Sequence, residues 1–61
     1  EFLDKVPEFI HDATLNGSIQ VIIPFPKGLQ DKYKKYIKKQ IKKLGYGAML
    51  WRYHREICIW W

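Results

Sequence analysis

DKYKKYIKKQIKKLGYG, residues 31–47, is the stretch that decides the fold of this chain. At about 100° per residue, a helix over this stretch and the residues just before it would gather its apolar and aromatic side chains on one arc. That arc comprises Leu29, Tyr33, Tyr36, Ile37, Gln40, Ile41 and Leu44. The pattern predicts a helix over residues 28–44 that stops at Gly45, with lysines covering the rest of its circumference.

A second helical period precedes this segment. Apolar residues recur there at spacings of three and four, at Phe2, Leu3, Val6, Phe9, Ile10 and Ala13. They predict a helix over residues 2–13, with Asp4 as its N-cap, Pro7 in its first turn and Asn16-Gly17 closing it. Asn-Gly is also typical of a two-residue hairpin. That hairpin would place Asp12 opposite Val21 on an apolar face, so the helix is favoured.

Two further segments have the period of two that is typical of strands. Residues 18–25 place Ile19, Val21, Ile23 and Phe25 on one face, and the prolines at 24 and 26 predict an edge or an exit. Residues 47–61 form either one long strand or two short strands that turn at residues 53–56. The second alternative is favoured because those four residues are consecutive and polar-tipped. We expect Trp51, Tyr53 and Trp61 in the core with Met49 and Ile57, and Trp60 on the other face.

These elements predict a small α+β domain over residues 1–61, in the order helix, strand, helix, and then a strand or hairpin. An amphipathic helix has one apolar stripe and a half-exposed sheet has one apolar face. We therefore expect both helices to pack on one face of a two- to three-stranded sheet.

The size of the chain limits what it can be. Sixty-one residues fit one domain, with a small core. The single cysteine, Cys58, excludes a disulfide within the chain, which favours an intracellular location, in the cytoplasm, the nucleoid or the nucleus. No apolar run approaches the roughly 18 residues of a membrane span. Because the sequence begins with Glu1 rather than methionine, we expect a fragment or a processed product.

Charge is distributed unevenly along the chain. Residues 1–12 carry four acids against one lysine, a net charge of −3, whereas residues 13–61 carry ten basic residues against two acids, a net charge of +8. The acids Asp4, Glu8 and Asp12 are spaced by four residues, which predicts an exposed acidic helix face. The chain therefore has an acidic start and a basic body.

The pattern of reactive side chains does not indicate catalysis. His11 and His54 lack metal-ligand spacing, and Cys58 with one histidine is a coincidence that any small protein can offer. No glycine pattern is typical of a phosphate-binding loop. We expect no enzyme activity, no metal and no cofactor.

The basic residues indicate a partner instead. Like charges four residues apart on a helix repel each other by a few tenths of a kcal/mol per pair. Between Lys27 and Arg55 the only acid is Asp31, so this repulsion is not relieved within the chain. We therefore expect a nucleic acid, DNA or RNA, to supply the countercharge through its phosphates. The predicted contacts are Lys32, Lys34, Lys35, Lys38, Lys39, Lys42, Lys43, Arg52 and Arg55, with Trp60 as a residue on which a base can stack.

Two other partner classes follow from the sequence. One is an acidic protein surface, which would make the chain a small interaction or regulatory module. The other is a membrane surface, and it is disfavoured because the apolar arc of the helix is needed for the core. Assembly is a separate question: an uncovered strand edge or aromatic patch near Trp60 and Trp61 favours a homodimer.

Overall fold

The computed structural model describes residues 2–61, which form two helices and one three-stranded antiparallel sheet. The elements are α1 (Phe2–Leu15), β1 (Gln20–Pro24), α2 (Asp31–Lys43), β2 (Gly47–Trp51) and β3 (Glu56–Trp60). The predicted α+β class and the order helix, strand, helix, hairpin are confirmed.

The last strand in the sequence lies in the middle of the sheet. The spatial order is β1-β3-β2, and β3 pairs antiparallel with both neighbours. β1 and β2 are therefore parallel to each other and are connected through α2. Ile57 of β3 lies between Ile23 of β1 and Leu50 of β2, so this register brings three apolar side chains into one row.

The core lies between the helices and one face of the sheet. It consists of Val6, Ile10, Ile23, Ile37, Ile41, Ala48, Ile57 and Ile59. α1 packs mainly against β1 and α2 mainly against β2, so each helix covers one edge strand. Fully burying an isoleucine side chain stabilises a fold by about 1.5–3 kcal/mol, and this small core depends on a few such residues. We call the sheet face under the helices the covered face and the opposite one the open face.

The Asn16-Gly17 pair ends α1, as predicted. Gly17 has a φ of +80°, and the Gly17 N–H donates to the Thr14 carbonyl at 3.0 Å. The Ser18 N–H donates to the Ala13 carbonyl at 2.9 Å. These two bonds form a Schellman motif, in which the left-handed residue is most often glycine. The hairpin alternative is therefore wrong.

The start of α1 differs from the prediction. Asp4 lies inside the first turn, where its charge still suits the positive helix end, so its prediction as N-cap is wrong. Pro7 lies inside the helix rather than in its first turn. A proline at this position removes one main-chain hydrogen bond. The acids Asp4, Glu8 and Asp12 are exposed, as expected.

α2 is shorter than predicted at its start. It begins at Asp31 rather than at residue 28, because Gly28 has a φ of +87° and cannot belong to a right-handed helix. The stop at Gly45, with a φ of +99°, is confirmed. Leu44 was predicted on the apolar arc but is 70% exposed. It caps the helix rather than continuing it, so its side chain lies beyond the end of the core.

The strand β1 is also shorter than its prediction. It spans five residues, Gln20–Pro24, and Ile19 lies before it with an exposed side chain. Ile23 is buried on the predicted face, with Val21 and Phe25 partly buried beside the core. The prediction of Ile19 on the buried face is wrong, whereas the edge position that the prolines indicated is confirmed.

The C-terminal segment is a hairpin, and its turn corrects the predicted core. The turn comprises residues 52–55, one position earlier than expected, and pairs Trp51 with Glu56. With four residues in the loop, odd positions of β2 share a face with even positions of β3. Met49 and Trp51 therefore lie on the open face, and Tyr53 lies in the turn and is 96% exposed. Trp61 is also exposed, so the prediction of these four side chains as core is wrong.

Candidate functional site

The rotation of α2 about its axis determines where its lysines lie. Ile37 and Ile41 are fully buried and fix that rotation against the sheet. At about 100° per residue, Lys35, Lys39 and Lys42 lie roughly 120–180° from the direction of these two isoleucines. All three lysines are exposed, as predicted for the outer side of the helix.

The first groove runs between α2 and the edge strand β2, and we call it the lysine groove. It has a volume of about 500 Å³ and is lined by Lys35, Lys38, Lys39, Lys42, Met49, Leu50 and His54. Its lining, taken from the described chain, contains four lysines and no carboxylate. A concave surface with charges of one sign focuses the electrostatic potential, so this groove attracts anions.

The hairpin turn at the end of the lysine groove has an unusual backbone. Arg52, Tyr53 and His54 have φ values of +50°, +57° and +64°. Left-handed backbone costs a residue with a side chain about 1–2 kcal/mol. His54 Nδ1 lies 3.6 Å from Asp31 Oδ1, so the turn also contacts the first residue of α2. Strained turns of this kind are common at functional sites.

A second groove lies on the other side of the turn, and we call it the arginine groove. It has a volume of about 680 Å³ and four basic residues among its lining, namely Lys27, Lys34, Arg52 and Arg55. The remaining lining residues are Pro24, Phe25, Pro26, Gly28 and Glu56. Both grooves take part of their lining from this turn, His54 in the lysine groove and Arg52 and Arg55 in the arginine groove.

Two of these basic residues have partners within the chain. Lys34 Nζ lies 5.4 Å above the centre of the Phe25 ring and 3.7 Å from Asp31 Oδ1. Arg52 Nε lies 3.2 Å from Glu56 Oε1, a buried oxygen that has no well-aligned hydrogen bond. The Arg52 side chain is largely exposed, so this contact leaves its other donors facing solvent.

The structure divides the nine predicted basic residues into two sets. Seven of them line the two grooves beside the hairpin turn, namely Lys34, Lys35, Lys38, Lys39, Lys42, Arg52 and Arg55. Lys32 lies instead in a groove between the helices, beside Leu3 and Asp4. Lys43 lies on the same side of α2 as Lys32, at about 280° from Tyr33 compared with about 260° for Lys32. The seven lysines of α2 therefore face two different parts of the surface.

Sequence reasoning missed the basic residue Lys27, and it did not determine where Trp60 lies relative to the basic residues. Lys27 lines the arginine groove but is separated from the helix by Gly28, so helical spacing could not include it. Trp60 lies on the open face and is 42% exposed, at the end of the sheet away from Arg52. Trp60 is therefore accessible but does not line either groove.

The described residues do not form a cluster of potential metal ligands. Among residues 2–61, no three histidine, cysteine, aspartate or glutamate side chains lie close enough to hold a metal ion. The Cys58 thiol is buried. Within the same residues, no helix is long and apolar enough to cross a membrane.

No protein-family model, curated protein or solved structure matches the chain.

Proposed function

We propose that this chain is a non-enzymatic nucleic-acid-binding domain. The observation that carries the proposal is the pair of basic grooves on either side of the turn at residues 52–55. Together they gather eight of the eleven lysines and arginines of the chain, four in each groove. Phosphates are the natural partners for such a surface, and their neutralisation supplies most of the affinity of non-specific binders.

The lysine groove supports the proposal most directly. Lys35 and Lys39, and likewise Lys38 and Lys42, are four residues apart and repel each other along the helix. Asp31, the acid nearest in sequence, is near Lys34 and His54 instead. A phosphate backbone in the groove would relieve the repulsion, and this gain favours the bound state.

The arginine groove adds a different kind of contact. A guanidinium group presents planar donors that fit two phosphate oxygens, whereas an ammonium group acts as a point charge. Arg52 and Arg55 are both exposed at the mouth of this groove. We propose that they position the backbone while the lysines supply its general attraction. An intracellular location, which the single cysteine also favours, is part of this proposal.

The test compares two triple variants in which the chain has the same net charge. The first replaces Lys35, Lys39 and Lys42 of the lysine groove by glutamine. The control replaces Lys5, Lys32 and Lys43, which are exposed and lie outside both grooves. Glutamine and lysine have similar helix propensities, so both variants should fold.

Binding to labelled nucleic acid is measured by fluorescence anisotropy as a function of salt concentration. We expect the groove variant to bind more weakly to every sequence, with the slope of log K against log salt flatter by roughly 0.7–0.9 for each phosphate that the variant no longer neutralises. The control should change the slope much less. Equal weakening in both variants would show that only net charge matters. An unmodified chain that does not bind at low salt would overturn the proposal, and an acidic protein surface would then be the partner to test.

A further inference from the structure

The open face of the sheet is unusually apolar for a surface in contact with solvent. Its central row is Ile22, Cys58 and Met49, and one end row is Pro24, Glu56 and Trp51. The other end row is Gln20, Trp60 and Gly47. Among the described residues of these three strands, Glu56 is the one charged side chain. Met49, Trp51 and Trp60 are 51%, 39% and 42% exposed, so three large side chains are partly open to solvent.

The Trp60 ring differs from a freely mobile surface ring. The indole of Trp60 lies against Gly47, so close that a Cβ atom at position 47 would overlap its ring. One side of the ring therefore contacts the neighbouring strand, while 42% of the residue remains exposed. Trp51 lies at the opposite end of the face, opposite Glu56 and directly before Arg52. The two Cα atoms are roughly 14 Å apart, from the rise along a strand and the spacing between strands.

The open face continues into both basic grooves. Met49 belongs to the open face and also lines the lysine groove at the edge of β2. Pro24 and Glu56 belong to the open face and also line the arginine groove. A ligand on the open face can therefore reach the basic groups of either groove without crossing the core.

The size of the face restricts what can cover it. Three strands about 4.8 Å apart and five residues of about 3.3 Å each give roughly 14 by 17 Å, or about 240 Å². A stable protein interface buries about 800 Å² of accessible surface on each partner, so a second copy or another protein would also have to contact surface beyond this outline. Two or three nucleobases, in contrast, fit an area of this size.

We propose that the open face is a base-stacking platform and that the ligand is therefore single-stranded nucleic acid. Bases stack on Trp51 and Trp60, while the phosphates between and beside them lie along the lysine groove and Arg52. This inference rests on the proposed function and names its ligand class. Paired bases in a duplex do not expose the flat surfaces that such a platform needs, whereas single strands do.

The experiment uses three ligands of the same length, about ten nucleotides, which is within the usual site size of single-strand binders. They are oligothymidylate, a duplex, and an abasic oligomer that has the phosphates without the bases. We expect oligothymidylate to bind most tightly and to quench tryptophan fluorescence. Tighter binding of the duplex, or equal binding of oligothymidylate and the abasic oligomer, would overturn the platform.

Tryptophan variants test whether the bases stack on Trp51 and Trp60. Trp51→Leu and Trp60→Leu should each weaken oligothymidylate binding about 5- to 100-fold, and Trp60→Tyr should restore most of it. Neither leucine variant should affect the abasic oligomer, a result that also shows that the variant is folded. Trp61→Leu is the matched control, because Trp61 follows β3 and packs edge-on against Tyr46, with the ring centres 6.5 Å apart. It should bind like the unmodified chain.

The outcomes distinguish failure of the platform from failure of the proposed function. If all ligands bind and the tryptophan variants bind oligothymidylate normally, the platform is wrong and the basic grooves remain. If no ligand binds at low salt, both proposals fail. Sedimentation equilibrium tests the homodimer: a dimer of the unmodified chain that Trp60→Leu converts to monomer would place a second copy on the open face and overturn the platform.

Discussion

The two faces of the sheet are made from the same three strands but have opposite properties. On the covered face, Ile23, Ile57 and Ile59 are buried against the helices. On the open face, Met49, Trp51 and Trp60 occupy alternate positions of the same strands and remain exposed. The open face therefore holds larger and more aromatic side chains than the core does. β-Branched residues fit a tight core between layers, and large contiguous apolar patches on a surface often mark interaction sites.

The largest expected effect compares one residue from each face. Ile57→Ala removes a fully buried side chain from the middle strand and should cost about 2–5 kcal/mol, enough to unfold much of so small a domain. Met49→Ala removes a side chain of similar size from the open face and should change the stability by less than about 0.5 kcal/mol. Urea unfolding followed by circular dichroism measures both. Equal destabilisation would mean that the open face contributes to the core.

A smaller effect tests whether the open face is ordered. The backbone of Gly47 is compatible with alanine, but the added methyl group would overlap the Trp60 ring. Gly47→Ala should therefore displace the ring and cost about 1 kcal/mol or more. In the double variant with Trp60→Ala, that cost should largely disappear, which a double-mutant cycle detects. Additive effects would show that the two positions do not interact and that the ring is not held by β2.

The smallest effect concerns the turn at residues 52–55, which connects β2 to β3 and contributes to the lining of both grooves. Tyr53 is 96% exposed with a φ of +57°, so its side chain strains the backbone and makes few contacts. Tyr53→Gly should stabilise the domain by up to about 1 kcal/mol, because glycine adopts this conformation without the steric cost. Tyr53→Ala is the control, since it removes the ring but keeps the Cβ atom. The thermal midpoint should rise for glycine and not for alanine; a rise in both would assign the effect to the ring.

Most of the fold could be predicted from local patterns. The periods of three to four and of two indicated both helices and the strands, and Gly17 and Gly45 marked the ends of the helices correctly. The errors at Asp4, Ile19 and Leu44 lie at the ends of elements. At Ile19 and Leu44 the apolar pattern continues for a residue beyond the core, and only the neighbouring elements determine whether that residue is covered.

The candidate site was predictable in its composition but not in its arrangement. Helical spacing indicated Lys35, Lys39 and Lys42 on the outer side of α2, and the structure exposes them there. It could not indicate that Lys32 lies beside α1, because the position of α1 is a tertiary property. Lys27 was missed for the same reason: it reaches the arginine groove only because the loop before α2 packs near the hairpin turn.

The sequence by itself therefore determined the elements and the uneven distribution of charge along the chain. The tertiary structure decided which sheet face is covered and which rings are exposed. The physical reason is that alternation assigns residues to two faces but does not label them as inside or outside. The four-residue turn places Leu50 rather than Met49 on the same face as Ile57, and the helices cover the face that the isoleucines share. That pairing left Trp51 and Trp60 on the open face, with Trp51 at the end next to Arg52 and Trp60 at the other end.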